Sequence, residues 1–356
     1  MARAIVQTPP SAQDIRSYRN QLHPDTPIRL GVISNPFSRT NARTRLNDRL
    51  LPRFLENRDN GINTRTLDDL DQALLTLLFK RQCNVLGLNG GDGTLHSGVN
   101  RLLALSNKLL QETGEALPLP HLLFLNGGTL NIVSRATGTK GNPARTVRSF
   151  VKQTTGKLLG QLETRELGLL KVDSEQQSTR YGFIFGSEVV ANALEMYTLF
   201  GEGYTGLLRF MLELFAGYAL NTRMWQEHGW KLDAPQSAVQ VDQLAFTRYT
   251  CAVAATIDLS ILKGVISALS VSEGSSGFFT KVLVAQDKGQ ILRLIPQLMT
   301  SIPTDAVKDF PEAQALKVHG SYTLDGECFI DRRPGASQGS VTVTRAPFNI
   351  HAVRLD

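Results

Sequence analysis

The sequence contains little cysteine and no long apolar segment, and both absences restrict what the protein can be. Three cysteines are scattered over 356 residues without a CxxC pair, at Cys83, Cys251 and Cys328. This spacing does not suit a disulfide framework or a zinc site, and it favours a reducing compartment. The most apolar segment, from Thr205 to Leu220, is too short to span a bilayer and contains Arg209 and Glu213. We therefore expect a cytoplasmic protein, with contact to a membrane surface left open.

The composition is otherwise that of a globular protein with a moderate basic bias. Hydrophobic residues make up 42% and charged residues 20% of the chain, and the formal net charge is +6. A chain of 356 residues is better accommodated by two domains than by one. The basic bias suits ATP or an anionic membrane surface, and it is also common in proteins without such partners. No nucleic-acid partner is expected, and a homodimer is left open.

The first half of the chain alternates short apolar segments with helical patterns. Four predicted strands cover Ile28–Ser34, Ile62–Thr66, Cys83–Leu88 and Leu122–Leu125, and helices are predicted over residues 42–57, 68–80 and beyond Thr94. Strands that alternate with helices predict a doubly wound parallel sheet, which binds its ligand beyond the carboxyl ends of the strands. Polar turns at Asn35, Gly90 and Gly128 all follow such ends, so we expect one shared site. We predict an irregular arm over residues 1–26 and an α/β domain over 27–155.

The second half of the chain changes in character. Alternating apolar and polar residues dominate from about Gly156, and they predict a mostly antiparallel β domain over residues 156–344. Helical patterns from Thr205 to Asn221 and from Gly289 to Met299 interrupt it. The last segment, 345–356, is predicted to return to the first domain, beginning near Pro347–Ile350.

One glycine-rich turn carries the clearest chemical signal. Asn89-Gly90-Gly91-Asp92-Gly93-Thr94 follows an apolar strand and precedes a helix. A strand, a glycine turn and a helix together present main-chain N–H groups and a positive helix end to an anion. Asp92 would repel a bare phosphate, but it fits a role in holding Mg²⁺ or in accepting a proton from an attacking hydroxyl. The turn therefore predicts phosphoryl transfer.

Gly90-Gly91-Asp92-Gly93-Thr94 also resembles the GGDGT signature of the diacylglycerol kinase and sphingosine kinase family of lipid kinases. NAD kinases share this pentapeptide, so the remaining motifs have to discriminate between a lipid kinase and an NAD kinase. The resemblance implies a Rossmann-like nucleotide-binding domain, a C-terminal β-sandwich domain, and ATP with Mg²⁺ as cofactors. It also implies that Asp92 positions the metal or the acceptor.

Other short motifs match the family in the same order along the chain. Asn35-Pro36-Phe37-Ser38 resembles its NPxSG segment, with Arg39 in place of the glycine, and Gly128-Thr129-Leu130-Asn131 resembles its GTxN motif. The alternative interpretations are a simple turn for the first motif and a helix N-cap for Thr129 and for Thr66. The nucleotide-binding residues that the resemblance implies are Asn35, Ser38, Thr66, Gly90, Gly91, Asp92, Gly93, Thr94, Gly128, Thr129, Asn131, Gly326 and Glu327.

A carboxylate near the C-terminus supplies the second catalytic candidate. Asp325-Gly326-Glu327 resembles the DGE motif of these lipid kinases, whose aspartate deprotonates the acceptor hydroxyl; an isolated Asp-Gly-Glu is more often a hairpin turn. Whether Asp92 or Asp325 is the principal base is left open. Glu188 is a candidate contact for a lipid head group. For the apolar segment from Gly201 to Trp225, core packing is the default interpretation, and a lipid-acyl cleft or a membrane contact is the alternative.

These motifs together predict an ATP-dependent lipid kinase that acts at an interdomain cleft. The expected acceptor is the hydroxyl of diacylglycerol, ceramide or a sphingoid base. Two alternatives remain at this point, a soluble-metabolite kinase of the NAD kinase type and a non-catalytic module that binds a nucleotide or a lipid.

Overall fold

The computed structural model describes residues 9–43, 51–128, 131–139, 141–175, 177–201, 203–233, 238–247, 249–261, 266–269, 271, 274–285, 287–298, 305–329 and 339–355. Its helices are α1 Ala12–Gln21, α2 Arg39–Arg43, α3 Leu67–Leu75, α4 Asp92–Thr113, α5 Ile132–Ala136, α6 Pro143–Thr154, α7 Val189–Tyr197, α8 Gly203–Leu220, α9 Arg223–His228 and α10 Lys288–Leu298. Residues 51–54 are also helical, and a π-helical turn, Thr76–Lys80, continues α3.

The strands, in chain order, are β1 Leu30–Ser34, β2 Gly61–Asn63, β3 Val85–Gly90, β4 His121–Asn126, β5 Thr164–Ser174, β6 Gln177–Gly182, β7 Ile184–Ser187, β8 Val239–Val241, β9 Leu244–Phe246, β10 Cys251–Ala255, β11 Leu259–Ile261, β12 Ile266–Leu269, β13 Phe278–Leu283, β14 Val307–Ala313, β15 Ala315–His319, β16 Tyr322–Leu324, β17 Glu327–Phe329 and β18 Ser340–Val353. Within the described residues, none of the helices combines the length and the apolarity that crossing a membrane requires.

The chain divides into two compact units. The first contains Met1–Gly128, Thr137–Glu166 and Ile350–Asp356, and the second contains Thr129–Ala136 and Leu167–Asn349. The predicted boundary after residue 155 therefore lies inside the first unit. The predicted return of the chain at residue 345 precedes the observed one at Ile350.

The first unit is built on a parallel sheet. Its strands lie in the order β2-β1-β3-β4, and each neighbouring pair is parallel. The end of β18 joins the same sheet in parallel to β4, where Ala352 lies opposite Leu122. Parallel neighbours need crossover connections, which the intervening helices provide. The predicted Rossmann-like arrangement is confirmed, and it brings the carboxyl ends of β1, β3 and β4 to one edge.

The N-terminal segment contains a helix, which corrects the prediction of an irregular arm over residues 1–26. Ser11 and Asp14 form a capping box at the start of α1. Ile15 and Tyr18 are fully buried, and the Tyr18 hydroxyl donates to the carbonyl oxygen of Cys83 at 2.9 Å. Pro9 and Pro10 come before the N-cap, where proline does not interrupt helical hydrogen bonds, so they did not justify the predicted arm.

The second unit is a sandwich of two sheets. One sheet is antiparallel throughout, in the order β14-β13-β10-β7-β16-β17. In the other, β15 pairs with β18 and with β8, and β8 pairs with β9. Buried residues from both sheets form one apolar core, among them Phe185, Ala254, Val282, Val241, Val318 and Val343. The predicted β-sandwich domain is confirmed. Strands β8 and β15 and the first part of β18 alternate between buried and less buried positions, whereas β10, β13 and β16 are buried at almost every residue.

A helical layer completes the second unit. Helices α7, α8 and α10 contribute Met196, Phe210, Leu214 and Leu292 to a further apolar cluster. The two predicted helical insertions correspond to α8 and α10. The sequence analysis did not predict α7, which begins directly after Glu188.

Candidate active site

Three loops of the first unit meet at the carboxyl ends of β1, β3 and β4. The main-chain N–H of Asn35 donates to the carbonyl oxygen of Asn89 at 2.9 Å, which joins the first loop to the second. The N–H of Thr40 donates to the carbonyl oxygen of Gly127 at 3.1 Å, and its hydroxyl donates to that of Gly128 at 2.6 Å. The structure therefore brings together the turns at Asn35, Gly90 and Gly128, as the sequence predicted.

Two glycines allow the loops to approach so closely. A Cβ on Gly127 would lie 2.6 Å from Asn89 Oδ1 and 2.7 Å from the main-chain nitrogen of Gly90. A Cβ on Gly90 would lie 2.3 Å from the Cβ of Thr94. Neither position has room for a side chain. The two glycines, which are themselves buried, therefore let the loops pack directly against one another.

Helix α4 points its N-terminus into this group of loops. It begins at Asp92, directly after β3 ends at Gly90, and continues for 22 residues. Its N-cap is Gly91, which makes no side-chain capping bond; the N–H groups of Thr94 and Leu95 donate to the Gly91 carbonyl oxygen. A long helix whose N-cap has no side chain offers partial positive charge to an anion. Asp92, in the first turn, is half-buried.

The Asn35 turn is held by its own side chains. Asn35 Oδ1 accepts from the N–H of Phe37 at 2.9 Å, and Asn35 Nδ2 donates to the Thr94 hydroxyl at 3.0 Å. The Ser38 hydroxyl donates to the Asn35 carbonyl oxygen at 2.8 Å. Arg39, where the family has glycine, is the first residue of α2. A helical backbone accepts any residue other than proline, so this departure leaves the path of the loop intact.

Two buried asparagines that sequence reasoning did not single out connect these loops. Asn41 is fully buried, and its Nδ2 donates to the Asn35 carbonyl oxygen at 2.9 Å and to the Ser38 hydroxyl at 2.9 Å. Asn89, also fully buried, donates through Nδ2 to the Ser34 hydroxyl at 3.0 Å. The sequence signal that could have found these two residues is an amide side chain at the end of an apolar strand or within a helix. Such a side chain, when buried, needs hydrogen-bond partners.

The two threonines after β2 have different roles. Thr66 is exposed and caps α3, since its hydroxyl accepts from the N–H of Asp69, whose carboxylate accepts from the N–H of Thr66. The N–H groups of Arg65 and Thr66 hold the pKa of Asp69 below its usual range. Thr64 is buried, and its N–H donates to the Ser34 carbonyl oxygen at 2.9 Å. Thr64 therefore lies beside the Asn35 turn, in a position that sequence reasoning missed.

The third motif is described in part. Gly128 belongs to the loops above, whereas Thr129 lies outside the described residues. Asn131 belongs to the second unit, where it is buried, has a φ of 51° and accepts from the Arg135 N–H at the start of α5. A non-glycine residue with positive φ at a predicted site residue is typical of a functional position.

Asp325 occupies a two-residue hairpin turn in the second unit. Strands β16 and β17 pair up to Leu324 and Glu327, and the intervening Asp325 and Gly326 have φ values of 53° and 88°. Positive φ at both positions is the geometry of a type I′ turn, for which Asp-Gly is a preferred sequence. The alternative interpretation of a hairpin turn is therefore correct as local structure, and it is compatible with a chemical role. Glu327 is exposed.

The turn points the Asp325 carboxylate back onto β7. Asp325 is only 5% exposed, and its Oδ1 accepts from the N–H groups of Phe183 at 2.8 Å and Ile184 at 2.9 Å. Its own N–H donates to the Ile184 carbonyl oxygen at 2.8 Å. Gly182 leaves space beside the other oxygen, because a Cβ there would lie 2.6 Å from Asp325 Oδ2. One carboxylate oxygen is thereby fixed by the main chain, and the second lies over a glycine.

Glu188 lies at the opposite end of the same pair of strands. The Glu188 N–H donates to the Ser321 carbonyl oxygen at 2.7 Å. Glu188 is four residues after Ile184, and four residues of extended strand span roughly 13 Å. Glu188 is 8% exposed, has a φ of 40° and forms the N-cap of α7. Within the described residues its Oε1 has no hydrogen-bond partner. Burial raises the pKa of this carboxyl to about 7.

The metal-binding capacity of the described residues is small. They contain no group of three or more His, Cys, Asp and Glu side chains arranged to hold a metal ion. Mg²⁺ in phosphoryl-transfer sites is held by one or two carboxylates together with substrate phosphates and water, so Asp92 beside the glycine loops fits that pattern. The half-buried residues from Gly91 to Thr94, at the N-terminus of α4, are the part of these loops that fits a phosphate group.

The comparisons with known proteins agree with this geometry. Residues 29–159 match the model of the diacylglycerol kinase catalytic domain. A solved protein from Bacillus anthracis strain Sterne, provisionally named a diacylglycerol kinase, is 13% identical, with a TM-score of 0.59 over 92% of this chain and 97% of its own. A further Bacillus anthracis structure, of a diacylglycerol kinase, gives a TM-score of 0.54 at the same identity and coverage. At such identity the solved structures establish the fold alone.

No curated protein matches the sequence. The family model covers β1 to β4 and all three loops of the first unit, so the match and the geometry concern the same residues. Residues 29–159, which contain the three loops, are therefore similar to the diacylglycerol kinase catalytic domain.

Proposed function

We propose that the protein is an ATP-dependent kinase that transfers the γ-phosphoryl group to a hydroxyl of a lipid, such as diacylglycerol, ceramide or a sphingoid base. The observation that carries this proposal is the convergence of the three loops on the N-terminus of α4, at two glycines that admit no side chain. The family match over the same residues supports the assignment as a kinase.

The first unit is proposed to hold the nucleotide. Main-chain N–H groups at the start of α4, where the residues from Gly91 to Thr94 are half-buried, would bind the phosphates. Asn35, Ser38, Asn41 and Asn89 would keep the loops in register through the hydrogen bonds described above. Thr129 and Asn131 remain proposed ligands on the strength of the motif alone.

Asp92 is proposed to be the carboxylate that holds Mg²⁺ at the phosphates. ATP with Mg²⁺ would supply the transferable phosphoryl group and neutralise its charge. Asp92 lies in the first turn of α4, directly after the N-cap Gly91, so it is adjacent to the N–H groups that are proposed to bind the phosphates.

Asp325 is proposed to be the general base of the second unit. A base has to be held within hydrogen-bonding reach of the proton that it accepts, and the two N–H groups on Oδ1 fix the orientation of this carboxylate. The carboxylate held in this orientation would then accept the proton of the acceptor hydroxyl. Gly326 supplies the positive φ that the turn needs, and Glu327 remains a proposed neighbour of the nucleotide.

Glu188 is proposed to contact the polar head of the acceptor. Its buried Oε1 lacks a partner within the described residues, so a hydroxyl or amine of the acceptor would satisfy it. With a pKa of about 7, the carboxyl is partly protonated near neutrality and can donate or accept. This contact would lie away from Asp325, at the far end of β7 and β16.

The experiment that tests the proposal is transfer of label from γ-labelled ATP with Mg²⁺ into mixed micelles. Diacylglycerol, ceramide and sphingosine would be offered in turn, and NAD would be offered in plain buffer. Label in one of the lipids is the expected result and identifies the acceptor class. Label in NAD alone would identify a soluble-metabolite kinase and overturn the lipid assignment, whereas nucleotide binding without label in any acceptor would favour a binding module.

A further inference from the structure

The exposed apolar side chains are concentrated in one stretch of the second unit. Twelve large apolar residues are exposed in the described part of the chain, and seven of them lie between residues 199 and 230. Scattered exposed leucines are ordinary, whereas a concentration of this kind indicates an interaction site. The seven are Leu199, Leu208, Leu212, Phe215, Tyr218, Leu220 and Trp230.

Helix α8 is apolar on both of its faces. Its inner face contributes Phe210 and Leu214, which are 5% and 3% exposed, to the apolar cluster with α7 and α10. Leu208, Leu212 and Phe215 follow one another at spacings of four and three residues, and they are 61%, 62% and 44% exposed. Residues at this spacing share one helix face. We call these three residues the outer stripe of α8.

The charge on α8 favours an anionic partner. The helix contains two charged residues, and Glu213 is half-buried, where its carboxylate accepts from the Thr222 hydroxyl at 2.7 Å. Arg209, next to the outer stripe, is exposed. The charge that α8 presents to solvent is therefore positive, in a chain whose formal net charge is +6.

The size of the surface suits a lipid bilayer better than a second copy of the chain. With about 100 Å² exposed on each side chain, the outer stripe and Leu220 present on the order of 400 Å² of apolar surface. A stable protein interface buries roughly 800 Å² per partner, about twice as much. An interfacial helix needs only to insert its apolar face among the lipid acyl chains.

We propose that the outer stripe of α8 inserts into the surface of a bilayer that contains anionic phospholipid. Leu208, Leu212 and Phe215 enter the acyl boundary, and Arg209 lies at the level of the phosphates. The inference rests on the proposed function, because an acceptor with long acyl chains resides in a lipid surface that the enzyme has to reach. The stripe is the contact that holds the second unit at this surface.

The test is sedimentation with vesicles of phosphatidylglycerol and phosphatidylcholine, compared with vesicles of phosphatidylcholine alone. The triple variant Leu208→Gln, Leu212→Gln, Phe215→Gln is expected to bind the anionic vesicles at least tenfold more weakly than the wild type. The matched control, Leu67→Gln with Leu244→Gln, changes leucines that are 54% and 58% exposed elsewhere, and it is expected to bind like the wild type.

Several outcomes would overturn this inference. If the triple variant sediments with the vesicles as the wild type does, or if the control loses binding equally, the stripe is not the contact. Equal wild-type binding to both kinds of vesicle would remove the anionic specificity. A shift from dimer to monomer in the triple variant, with vesicle binding unchanged, would assign the stripe to contact between copies of the chain.

A second arm separates this inference from the proposed function. Phosphate transfer to dioctanoylglycerol, which disperses without vesicles, is expected to be equal in the wild type and the triple variant, because the three stripe residues are not among those proposed to bind the nucleotide or to accept the proton. Transfer to long-chain diacylglycerol in vesicles is expected to fall with vesicle binding. If the wild type phosphorylates neither acceptor, the proposed function fails, and the sedimentation result still decides the role of the stripe.

Discussion

At the scale of single residues, the candidate nucleotide site depends on positions where a side chain has no room. Gly127 lies against the Asn89 side chain and the main chain of Gly90, so a methyl group there has to displace backbone. Gly91, one residue from Gly90, has more space around it. A Cβ added there would lie 3.4 Å from its nearest neighbour, the Cα of Gly128. The two glycines belong to the same loops and differ in the space around them.

This difference gives the first prediction. Gly127→Ala is expected to lower the free energy of unfolding by about 1–3 kcal/mol, because overpacking forces the loops apart. Gly91→Ala is expected to change it by less than about 1 kcal/mol, since an ordinary van der Waals contact results. Urea unfolding of both variants measures the comparison. Equal stability of the two variants would show that the close approach at Gly127 is not present in solution.

Glu188 gives a prediction on pH at the same scale. Burial raises the pKa of its carboxyl in the folded protein to about 7, against 4.5 for an ordinary glutamate. The stabilisation from its neutral form is complete below pH 4.5 and is lost as the pH rises through 7, because the folded protein then has to bury a charge.

The measurement is the urea midpoint of wild type and Glu188→Gln between pH 4.5 and 8. The midpoint of the variant relative to the wild type is expected to rise over this interval, because glutamine carries no charge at either end. Taking the difference between the two proteins cancels the titration of the other groups. A difference that stays constant with pH would mean that the Glu188 carboxyl is solvated in the folded protein.

At the scale of elements, the hairpin of β16 and β17 links a local turn to a carboxylate. The turn geometry aims Asp325 at two N–H groups at the start of β7, so the element fixes the side chain. Asp325→Asn retains an oxygen for these donors and is expected to keep the free energy of unfolding within about 1 kcal/mol of the wild type. Asp325→Ala leaves two buried donors unsatisfied and is expected to destabilise by a further 1–3 kcal/mol or so.

Urea unfolding of the two variants side by side measures this prediction. Because both remove the charge, their difference contains the hydrogen bonds to Phe183 and Ile184, together with the preference of asparagine over alanine for the positive φ of this turn. If alanine and asparagine were equally stable, the carboxylate would not be tethered to β7, and the proposed orientation of the base would lose its support.

The same elements show what the sequence could predict. The strand, glycine turn and helix around Gly90 were predictable, because glycine, an apolar strand and helical periodicity all indicate one local structure. The β domain was predictable from its period-2 pattern. Helix α1 was missed although Ser11 and Asp14 form a capping box, since neighbouring prolines are also typical of an irregular arm.

The other omissions have a tertiary cause. Asn41 and Thr64 acquire their positions from hydrogen bonds to Asn35 and Ser34, which sequence spacing does not disclose. Thr66 matched the family in order along the chain, yet its hydroxyl caps α3. The burial of Glu188 depends on the pairing of β7 with β16, between segments more than a hundred residues apart. Local patterns contain no information on such contacts.

At the scale of the whole molecule, the residues proposed for the two halves of one reaction belong to two units. The loops that are proposed to bind nucleotide belong to the first unit, whereas Asp325 and Glu188 belong to the second. A substitution of Asp325 should therefore lower the rate of phosphoryl transfer without changing nucleotide binding. A substitution in the loops at Gly127 should weaken nucleotide binding first.

The most direct test of this assignment is to measure the ATP dissociation constant and kcat in the same preparations of wild type and Asp325→Asn. The acceptor is the lipid that takes up label in the wild type. Because a positioned general base contributes about 10²–10⁴-fold, kcat is expected to fall at least 100-fold, with the dissociation constant for ATP within threefold of the wild-type value. A variant that keeps the wild-type kcat would contradict the account, and so would one that loses ATP binding together with activity.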